Sequence, residues 1–281
     1  MTHNLHFNMA KKKQLIIPIF IPQEGCPHQC VFCNQSKITG KEKLPDANEV
    51  SDTVSAYLKT WKDSGRKEIA FYGGSFTGLD KNIQEGFLSI AYGFINDGLI
   101  DSIRISTRPD YITYEGLLLL KKYKVETVEL GVQSMSDEVL RLSGRGHKAK
   151  DTTAAVMLLK KDGFKAGLQI MPGLPGDTSD TILFTAAKAA ELQPDFVRIY
   201  PTLVIRDTPL EKMYLSGSYN PWSLTEMTDI CKKLVSLFND KKIPIIRLGL
   251  QPTEILEKNI LAGPYHQSFR ELVDKAVITS L

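Results

Sequence analysis

The chain has 281 residues, of which 42% are hydrophobic and 24% charged, the balance of a globular protein with one sizeable core. A net charge of +3 and a sequence pI near 8.5 fall short of the strongly basic character of a dedicated nucleic-acid-binding protein. No apolar stretch approaches membrane-spanning length, and the 4 cysteines form no spaced disulfide framework, so a cytoplasmic protein without a membrane partner is expected.

Short apolar segments alternate with longer amphipathic segments along most of the chain, after a basic N-terminal tail predicted over residues 1–14. Segments rich in Ile, Val, Phe and Tyr predict strands over residues 15–21, 67–72, 102–106, 127–132, 164–171 and 196–201. Apolar residues at helical spacing predict helices over residues 50–61, 83–94, 114–122, 137–142, 152–161, 180–192 and 224–238. A last strand with a Pro turn is predicted within residues 243–253, and a short amphipathic end over residues 269–277.

This alternation predicts an α/β fold with a parallel sheet, because parallel neighbours need crossover connections that lay helices against the sheet. Six such units, ending near residue 240, point to a barrel. A full eight-fold barrel typically takes about 250 residues or more of regular repeats. We predict a core barrel over residues 15–240 and a C-terminal extension over residues 241–281.

Three of the cysteines lie together after the first predicted strand, where Cys26, Cys30 and Cys33 have C-x3-C-x2-C spacing. Such a loop can hold a four-iron cluster, which normally takes four thiolates, and it leaves one iron open to an exogenous ligand. Open metal positions are typical of catalytic sites. The alternative is a structural zinc site with His28 as the fourth ligand, although paired C-x2-C halves are more usual there.

Glycine-rich or polar turns follow the next predicted strands, at residues 73–77, 107–110, 133–134 and 172–176. In β/α barrels the chemistry lies at the carboxyl ends of the strands, where successive loops converge. The pair Gly73 and Gly74 lets backbone approach a ligand closely, and its alternative is an ordinary turn. We therefore expect these turns and the Cys loop to form one site.

The spacing of the three thiols, with Phe32 just before the third, resembles the signature of radical S-adenosylmethionine (SAM) enzymes. The resemblance implies a [4Fe-4S] cluster on Cys26, Cys30 and Cys33, with SAM chelating the open iron. It also implies a partial (β/α)6 barrel with an open side, and reductive cleavage of SAM to a 5′-deoxyadenosyl radical with electrons from a reductant such as flavodoxin or ferredoxin. A non-catalytic iron–sulfur electron carrier is the different-class alternative, and such carriers hold their clusters with a complete set of protein ligands.

Longer motifs resemble two particular families and together cover roughly residues 15–255. Residues 71–78, 106–111 and 199–206 are similar to the radical SAM domain of the Elongator catalytic subunit, and residues 131–134, 144–147 and 173–176 to oxygen-independent coproporphyrinogen dehydrogenases. The cofactor-binding residues that these resemblances imply are Phe32, Gly73, Gly74, Ser75, Thr77, Ser106, Gln133, Arg145 and Gln169. Gln169 stands where the porphyrinogen-type enzymes have Asp, and Ser106 where both families tend to have Glu. The alternative for Gln169 is a strand-end side chain bonded to a neighbouring loop.

The Elongator-like motifs imply modification of a tRNA base, and the porphyrinogen-like motifs allow radical chemistry on a small molecule or a tetrapyrrole instead. Arg108 and Tyr200 are the candidate substrate residues, because a guanidinium can hold phosphate or carboxylate bidentately and a tyrosine can contact substrate at a barrel mouth. Their alternatives are a loop salt bridge between Arg108 and Asp110, and a core aromatic. Residues 145–150 are either a basic loop that follows a nucleic-acid backbone or an ordinary solvated loop. We do not expect the acetyltransferase domain of the Elongator subunit within these 281 residues.

Overall fold

The computed structural model describes residues 14–22, 25–41 and 43–278. The strands are β1 (Leu15–Ile21), β2 (Lys67–Gly73), β3 (Ser102–Thr107), β4 (Val125–Gln133), β5 (Lys165–Ile170), β6 (Phe196–Ile199), β7 (Val204–Ile205), β8 (Ile245–Leu248) and β9 (Ile260–Ala262). The helices are α1 (Gln35–Thr39), α2 (Ala47–Thr60), α3 (Lys81–Asn96), α4 (Tyr114–Lys122), α5 (Asp137–Leu142), α6 (Ala149–Lys161), α7 (Ser179–Glu191), α8 (Pro209–Leu215), α9 (Leu224–Asp240), α10 (Glu254–Asn259) and α11 (Phe269–Ile278). Apart from Gln14, the predicted basic tail lies outside the described residues.

The central sheet has seven parallel strands in the order β1-β2-β3-β4-β5-β6-β8, and it curls into a half-barrel. The predicted α/β fold with a partial barrel is therefore confirmed. The strand predicted after residue 240 joins the sheet as β8, parallel to β6, so the sheet carries one strand more than the six predicted units. The boundary that we predicted between a core barrel and a C-terminal extension stays a prediction.

Helices cover the outer face of the sheet, and the main hydrophobic core lies between them. Its largest fully buried side chains include Phe71, Leu88 and Phe238, which come from β2, α3 and α9. Parallel strands that are covered on both faces are buried along their length, and β4 is buried at every position from Thr127 to Gln133. The inner face differs in chemistry, since several of its buried side chains are charged.

Side-chain capping explains where several helices begin. Asp46, Thr178 and Ser223 each accept a hydrogen bond from a backbone N–H in the first turn of α2, α7 and α9. Helix α6 begins three residues before the predicted start, because Asp151 bonds back to the N–H of Lys148. No helix in the described part of the chain is both long enough and apolar enough to cross a bilayer.

A second, two-stranded antiparallel sheet pairs β7 with β9. This small sheet and the short helices α1, α8 and α10 were not predicted from the sequence. They contain two to seven residues each, which is too short for a hydrophobic period to show. They pack beside the Cys loop: α1 contacts α10, and Val31 and Phe32 contact a buried cluster of Val204, Leu210 and Tyr219.

Candidate active site

A cavity of about 500 Å³ opens at the carboxyl ends of the strands. This size is within the range of small-molecule and cofactor sites. Its walls come from the Cys loop and from the ends of β2, β3, β4 and β5, as the predicted convergence of loops requires. The lining residues are Cys26, Pro27, His28, Gln29, Cys30, Phe32, Cys33, Gln35, Gly73, Gly74, Ser75, Ser106, Thr107, Arg108, Gly131, Gln133, Arg145 and Gln169. The predicted metal ligands thus share one cavity with most of the predicted cofactor-binding residues.

Backbone contacts hold the Cys loop against the glycine-rich turn. Gly25 has φ +71°, and a Cβ built there would lie 2.3 Å from the carbonyl oxygen of Ser75. Gly73 has φ +108°, and a Cβ there would lie 2.6 Å from the carbonyl oxygen of Ile21. Only glycine accommodates both the positive φ and the close approach. These two glycines therefore bring Cys26 and the backbone of Gly73, Gly74 and Ser75 to the same wall.

The three thiols differ in exposure, since Cys26 is exposed, Cys33 is half-buried and Cys30 is buried. Burial raises the pKa of the Cys33 thiol to about 12, with a further contribution from the neighbouring Cys30 and Cys26. Among residues 14–22, 25–41 and 43–278, no three His, Cys, Asp or Glu side chains converge closely enough to hold a single metal ion. The thiols line the wall of a cavity instead, and this suits a cluster in which each thiolate binds a different iron.

Buried polar atoms without partners point into the same region. Among the described residues, Arg108 Nη1, Gln133 Oε1 and Arg145 Nε are buried and have no hydrogen-bond partner in the protein. All three residues line the cavity. Buried polar groups normally have partners, so this wall suits a ligand that carries both donors and acceptors, as SAM does. The donor set and the thiols together fit a cluster with SAM.

Arg145 bonds the buried thiol of Cys30, and Gln133 lines the same cavity. The guanidinium of Arg145 donates through Nη1 to Cys30 Sγ at 3.1 Å and through Nη2 to the carbonyl oxygen of Gly131 at 2.5 Å. Gln133 has φ +66°, a conformation uncommon outside glycine, at the irregular end of β4. Backbone strain of this kind is often retained where a side chain must face a ligand.

Arg108 forms the loop salt bridge with Asp110 that was its alternative, and its side chain is buried. Its side chain is 4% exposed and donates to Asp110 through Nε at 3.0 Å and through Nη2 at 2.9 Å. Burial raises the pKa of the Asp110 carboxyl, but the hydrogen bonds and charge of Arg108 outweigh it, and the net pKa is lowered. The loop pair therefore exists, and Nη1 of Arg108, a residue that lines the cavity, is left buried without a partner in the protein.

A chain of hydroxyl groups supports the glycine-rich turn. The Thr107 hydroxyl lies 2.8 Å from Ser75 Oγ and 2.6 Å from Thr77 Oγ1, and Ser75 Oγ also accepts from the N–H of Arg108 at 3.3 Å. Ser75 and Thr107 line the cavity, whereas Thr77 is not among its lining residues. Thr77 thus supports the cavity wall through its hydrogen bond with Thr107. Thr107 was not among the site residues predicted from the sequence.

The floor of the cavity is attached to a buried ion network inside the barrel. Gln169 Nε2 donates to Glu129 Oε2 at 3.0 Å and to Ser106 Oγ at 3.4 Å. Glu129 is fully buried, and it is paired with Arg104 at 2.8 Å and with Arg198 at 2.7 Å. Burial raises the pKa of the Glu129 carboxyl, but the two guanidiniums and their hydrogen bonds outweigh it, and the net pKa is lowered. Gln169 therefore lines the cavity and also bonds neighbouring strands, and its contact with SAM stays a prediction.

Tyr200 is not a lining residue of the cavity. Its hydroxyl accepts from Arg198 Nη1 at 3.4 Å, at the edge of the ion network. Sequence reasoning also missed Gln35, which lines the cavity. It missed Glu129, Arg104 and Arg198 as well, which form the ion network. A charged residue at a buried or half-buried position in each of β3, β4 and β6 is the signal that could have found the last three.

The sequence of the chain matches the Radical SAM superfamily over residues 20–189 and the Radical_SAM C-terminal domain over residues 194–278. The chain belongs to the Radical SAM superfamily. Members of this superfamily use a [4Fe-4S] cluster and SAM, which confirms the cofactors expected from the thiol spacing.

Among relatives of this radical SAM protein, a tRNA uridine(34) acetyltransferase from Dehalococcoides mccartyi is 27% identical over 272 residues, covering 85% of this chain and 58% of the relative. Elongator complex protein 3 from Bos taurus is 28% identical over 303 residues, covering 92% of this chain and 54% of the relative. The radical SAM chain thus spans a little over half the length of these relatives. The resemblance to the Elongator catalytic subunit is confirmed.

Two solved structures have the same fold as this radical SAM protein. Elp3 from Methanocaldococcus infernus superposes with a TM-score of 0.77 at 23% identity, covering 96% of this chain and 63% of that chain. Coproporphyrinogen III oxidase from Escherichia coli superposes with a TM-score of 0.60 at 18% identity, covering 82% of this chain and 53% of that chain. At these identities the likeness concerns the fold alone.

Proposed function

We propose that this radical SAM enzyme holds its [4Fe-4S] cluster through Cys26, Cys30 and Cys33 and modifies a base of tRNA. The observation that carries the assignment of the ligands is the cavity in which all three thiols meet the backbone of Gly73 and Gly74. Three thiolates satisfy three irons of a four-iron cluster and leave the fourth to an exogenous ligand. Free thiols at all four described cysteines accord with the reducing cytoplasm that we propose as the location.

The residues of the chain bind and orient SAM. When bound, the cluster supplies the electron that cleaves the sulfonium bond of SAM to give the 5′-deoxyadenosyl radical. The Gly73–Gly74 backbone offers polar groups to the amino acid end of SAM at close range, because neither residue carries a side chain. Gln133, Arg145 and Gln169 line the remaining walls and can bond the carboxylate and the ribose, and Gln133 and Arg145 each have a buried polar atom without a partner in the protein. Phe32, Ser75 and Ser106 complete the cofactor wall, and Thr77 supports it through its hydrogen bond with Thr107.

The choice of tRNA as the substrate is supported by the relative named a tRNA uridine(34) acetyltransferase. Arg108 lines the cavity and has one terminal nitrogen, Nη1, without a hydrogen-bond partner in the protein, which suits a nucleotide phosphate. Asp110 fixes its orientation through two hydrogen bonds. Tyr200 lies outside the cavity lining, so its contribution to substrate binding would act through Arg198. A flavodoxin or a ferredoxin is the reductant that we propose.

The cluster is tested by anaerobic reconstitution of the full chain, followed by iron and sulfide analysis, EPR and measurement of 5′-deoxyadenosine released with dithionite and SAM. We expect about four irons per chain, an EPR signal of the reduced cluster that changes when SAM is added, and release of the nucleoside. Cys33→Ala should lose all three properties. Cys231→Ala is the matched control and should keep them, because that thiol is buried in α9 away from the cavity. Tight zinc binding without SAM turnover would refute the proposal.

The tRNA substrate is tested by comparing the nucleoside masses of tRNA from cells with and without the gene. We expect one modified nucleoside to disappear and to return with the wild-type gene but not with the Cys33→Ala variant. Binding of bulk tRNA to the purified enzyme should weaken as salt rises, since phosphate contacts release counterions. Identical nucleosides in all strains, with weak binding that does not respond to salt, would contradict the RNA substrate and favour a small molecule or a tetrapyrrole.

A further inference from the structure

Arg145 makes a direct hydrogen bond to one of the proposed cluster ligands. Its side chain is buried, and Nη1 lies 3.1 Å from Cys30 Sγ. Its second terminal nitrogen donates to the Gly131 carbonyl. In the part of the chain that the structure describes, no carboxylate pairs with this guanidinium. The buried guanidinium of Arg145 therefore donates to the buried Cys30 sulfur while its positive charge is not balanced by a carboxylate.

We propose that Arg145 raises the reduction potential of the cluster through its hydrogen bond to Cys30. This inference rests on the proposed function, because it requires the cluster on Cys26, Cys30 and Cys33. One-electron reduction adds a negative charge that spreads over the irons and the sulfurs. A cation that donates to a ligand sulfur stabilises the reduced form more than the oxidised form. Hydrogen bonds to the sulfurs and net charge are among the factors that set the potentials of such clusters.

Backbone contacts hold the segment that carries Arg145 against the Cys loop that carries Cys30. The Val31 N–H donates to the carbonyl oxygen of Ser143 at 3.1 Å, so the Cys loop is bonded to the segment that carries Arg145. Gly144 has φ +65°, and a Cβ built there would lie 3.2 Å from the Gln29 carbonyl oxygen, so the two segments are in close contact. A donor held in this way loses little entropy when it bonds the sulfur, which makes the contact persistent.

Arg108 provides an internal comparison because it is a second buried guanidinium in the same cavity. Its charge is balanced by Asp110 through two hydrogen bonds, and no hydrogen bond between its side chain and a thiol is found in the described residues. Removing Arg108 should therefore alter the potential less than removing Arg145.

The experiment is EPR-monitored redox potentiometry of the reconstituted full chain without SAM, so that binding of SAM does not contribute. The wild type is compared with Arg145→Gln, Arg145→Lys and Arg108→Gln at equal iron and sulfide content. Each reduction takes one electron from dithionite and converts [4Fe-4S]²⁺ to [4Fe-4S]⁺. We expect the midpoint of Arg145→Gln to be the most negative. Arg145→Lys should fall between it and the wild type, because Lys keeps the charge without the second bond to Gly131.

The proposal is overturned by a midpoint for Arg145→Gln that equals that of the wild type or that of Arg108→Gln. If Arg145→Gln fails to assemble a cluster, the comparison of Arg145→Lys with the wild type decides, and an unshifted midpoint there also overturns it. If neither Arg145→Gln nor Arg145→Lys assembles a cluster, the proposal is also overturned, because Arg145 is then needed for folding of the Cys loop. A wild type that binds no four-iron cluster would instead refute the proposed function.

Discussion

Replacing Glu129 with Gln tests whether the ion network inside the barrel stabilises the fold and the cavity floor. Glu129 is fully buried in β4 and bonds Arg104, Arg198 and Gln169. The Glu129→Gln variant keeps the size of the side chain but removes its charge. Arg104 would still be paired with Glu68 at 2.7 Å, whereas Arg198 would retain hydroxyl partners and no carboxylate among the described residues.

The cost follows from the burial of Arg198, whose side chain is 11% exposed. Removal of one partner of a buried ion pair typically costs about 3–5 kcal/mol, because an uncompensated charge remains in the interior. One kcal/mol lowers the melting temperature of a chain of this size by about 2–4 °C, so we expect a fall of roughly 6–20 °C. The pH dependence has a definite sign. Because folding lowers the pKa of Glu129, its stabilisation is present above the ordinary value of 4.5 and is lost as the pH falls through the lower folded value.

The assay is thermal unfolding of the wild type and the variant, followed by circular dichroism at pH 7 and at successively lower pH. Glu68→Gln is the matched control, because Glu68 is equally buried but bonds Arg104 and Ser102 and no cavity-lining residue in the described chain. Both variants should have a lower melting temperature, and only Glu129→Gln should also weaken SAM binding to the reconstituted enzyme, since Gln169 must then compete with the arginines for one acceptor oxygen instead of two. A melting temperature for Glu129→Gln within 2 °C of the wild type would refute the estimate based on about 3–5 kcal/mol. If the stability of Glu129→Gln falls with decreasing pH as steeply as that of the wild type, the argument from the lowered pKa of Glu129 is wrong.

Two further predictions concern the Cys loop. Gly25→Ala should lose iron faster to a chelator, because its Cβ would lie 2.3 Å from the Ser75 carbonyl oxygen. The control is Gly86→Ala in α3, whose Cβ meets nothing within 4 Å, and it should retain iron and gain about 0.5–1 kcal/mol of stability. Equal iron retention by the two variants would disprove the close contact. Leu210→Ala should lower the free energy of unfolding by about 2–5 kcal/mol and also release iron faster, because Leu210 packs on the Cys loop. Leu234→Ala in α9 should lower the free energy of unfolding without faster iron release. Equally fast iron release from both variants would show that iron retention depends on global stability alone.

The sequence predicts the fold well because its strands are short, apolar and regularly spaced. The structure gives β1 the predicted limits and changes the other central strands by a few residues at their ends. Strand β6 ends at Ile199, two residues before the predicted end at Pro201, whose nitrogen cannot donate to a ladder. The thiol spacing and the turns after the strands identify the cavity, since the topology brings all carboxyl ends of parallel strands to one edge.

The ion network escaped prediction because it depends on side chains from separate strands. Every second residue of β3 is polar, at Ser102, Arg104 and Ser106, and β4 places Glu129 between Thr127 and Gly131. Side chains two residues apart lie on the same face of a strand, so this alternation marks a polar inner face. The pairing register then sets Ser106 opposite Glu129, which a single strand cannot reveal. A search for polar alternation within buried parallel strands would have found these residues.

The two matched regions contribute to the site in different ways. Among the described residues, those that line the cavity lie between Cys26 and Gln169, within the first region, and residues 194–278 contribute none. The second region nevertheless bonds the Cys loop from outside: the Leu210 N–H donates to the Val31 carbonyl at 2.8 Å, and Asn34 Nδ2 donates to the Asp207 carbonyl at 3.2 Å. The loop's own apolar residues, Val31 and Phe32, pack on the cluster of Val204, Leu210 and Tyr219 from the same region. The C-terminal region therefore supports the Cys loop from outside the cavity.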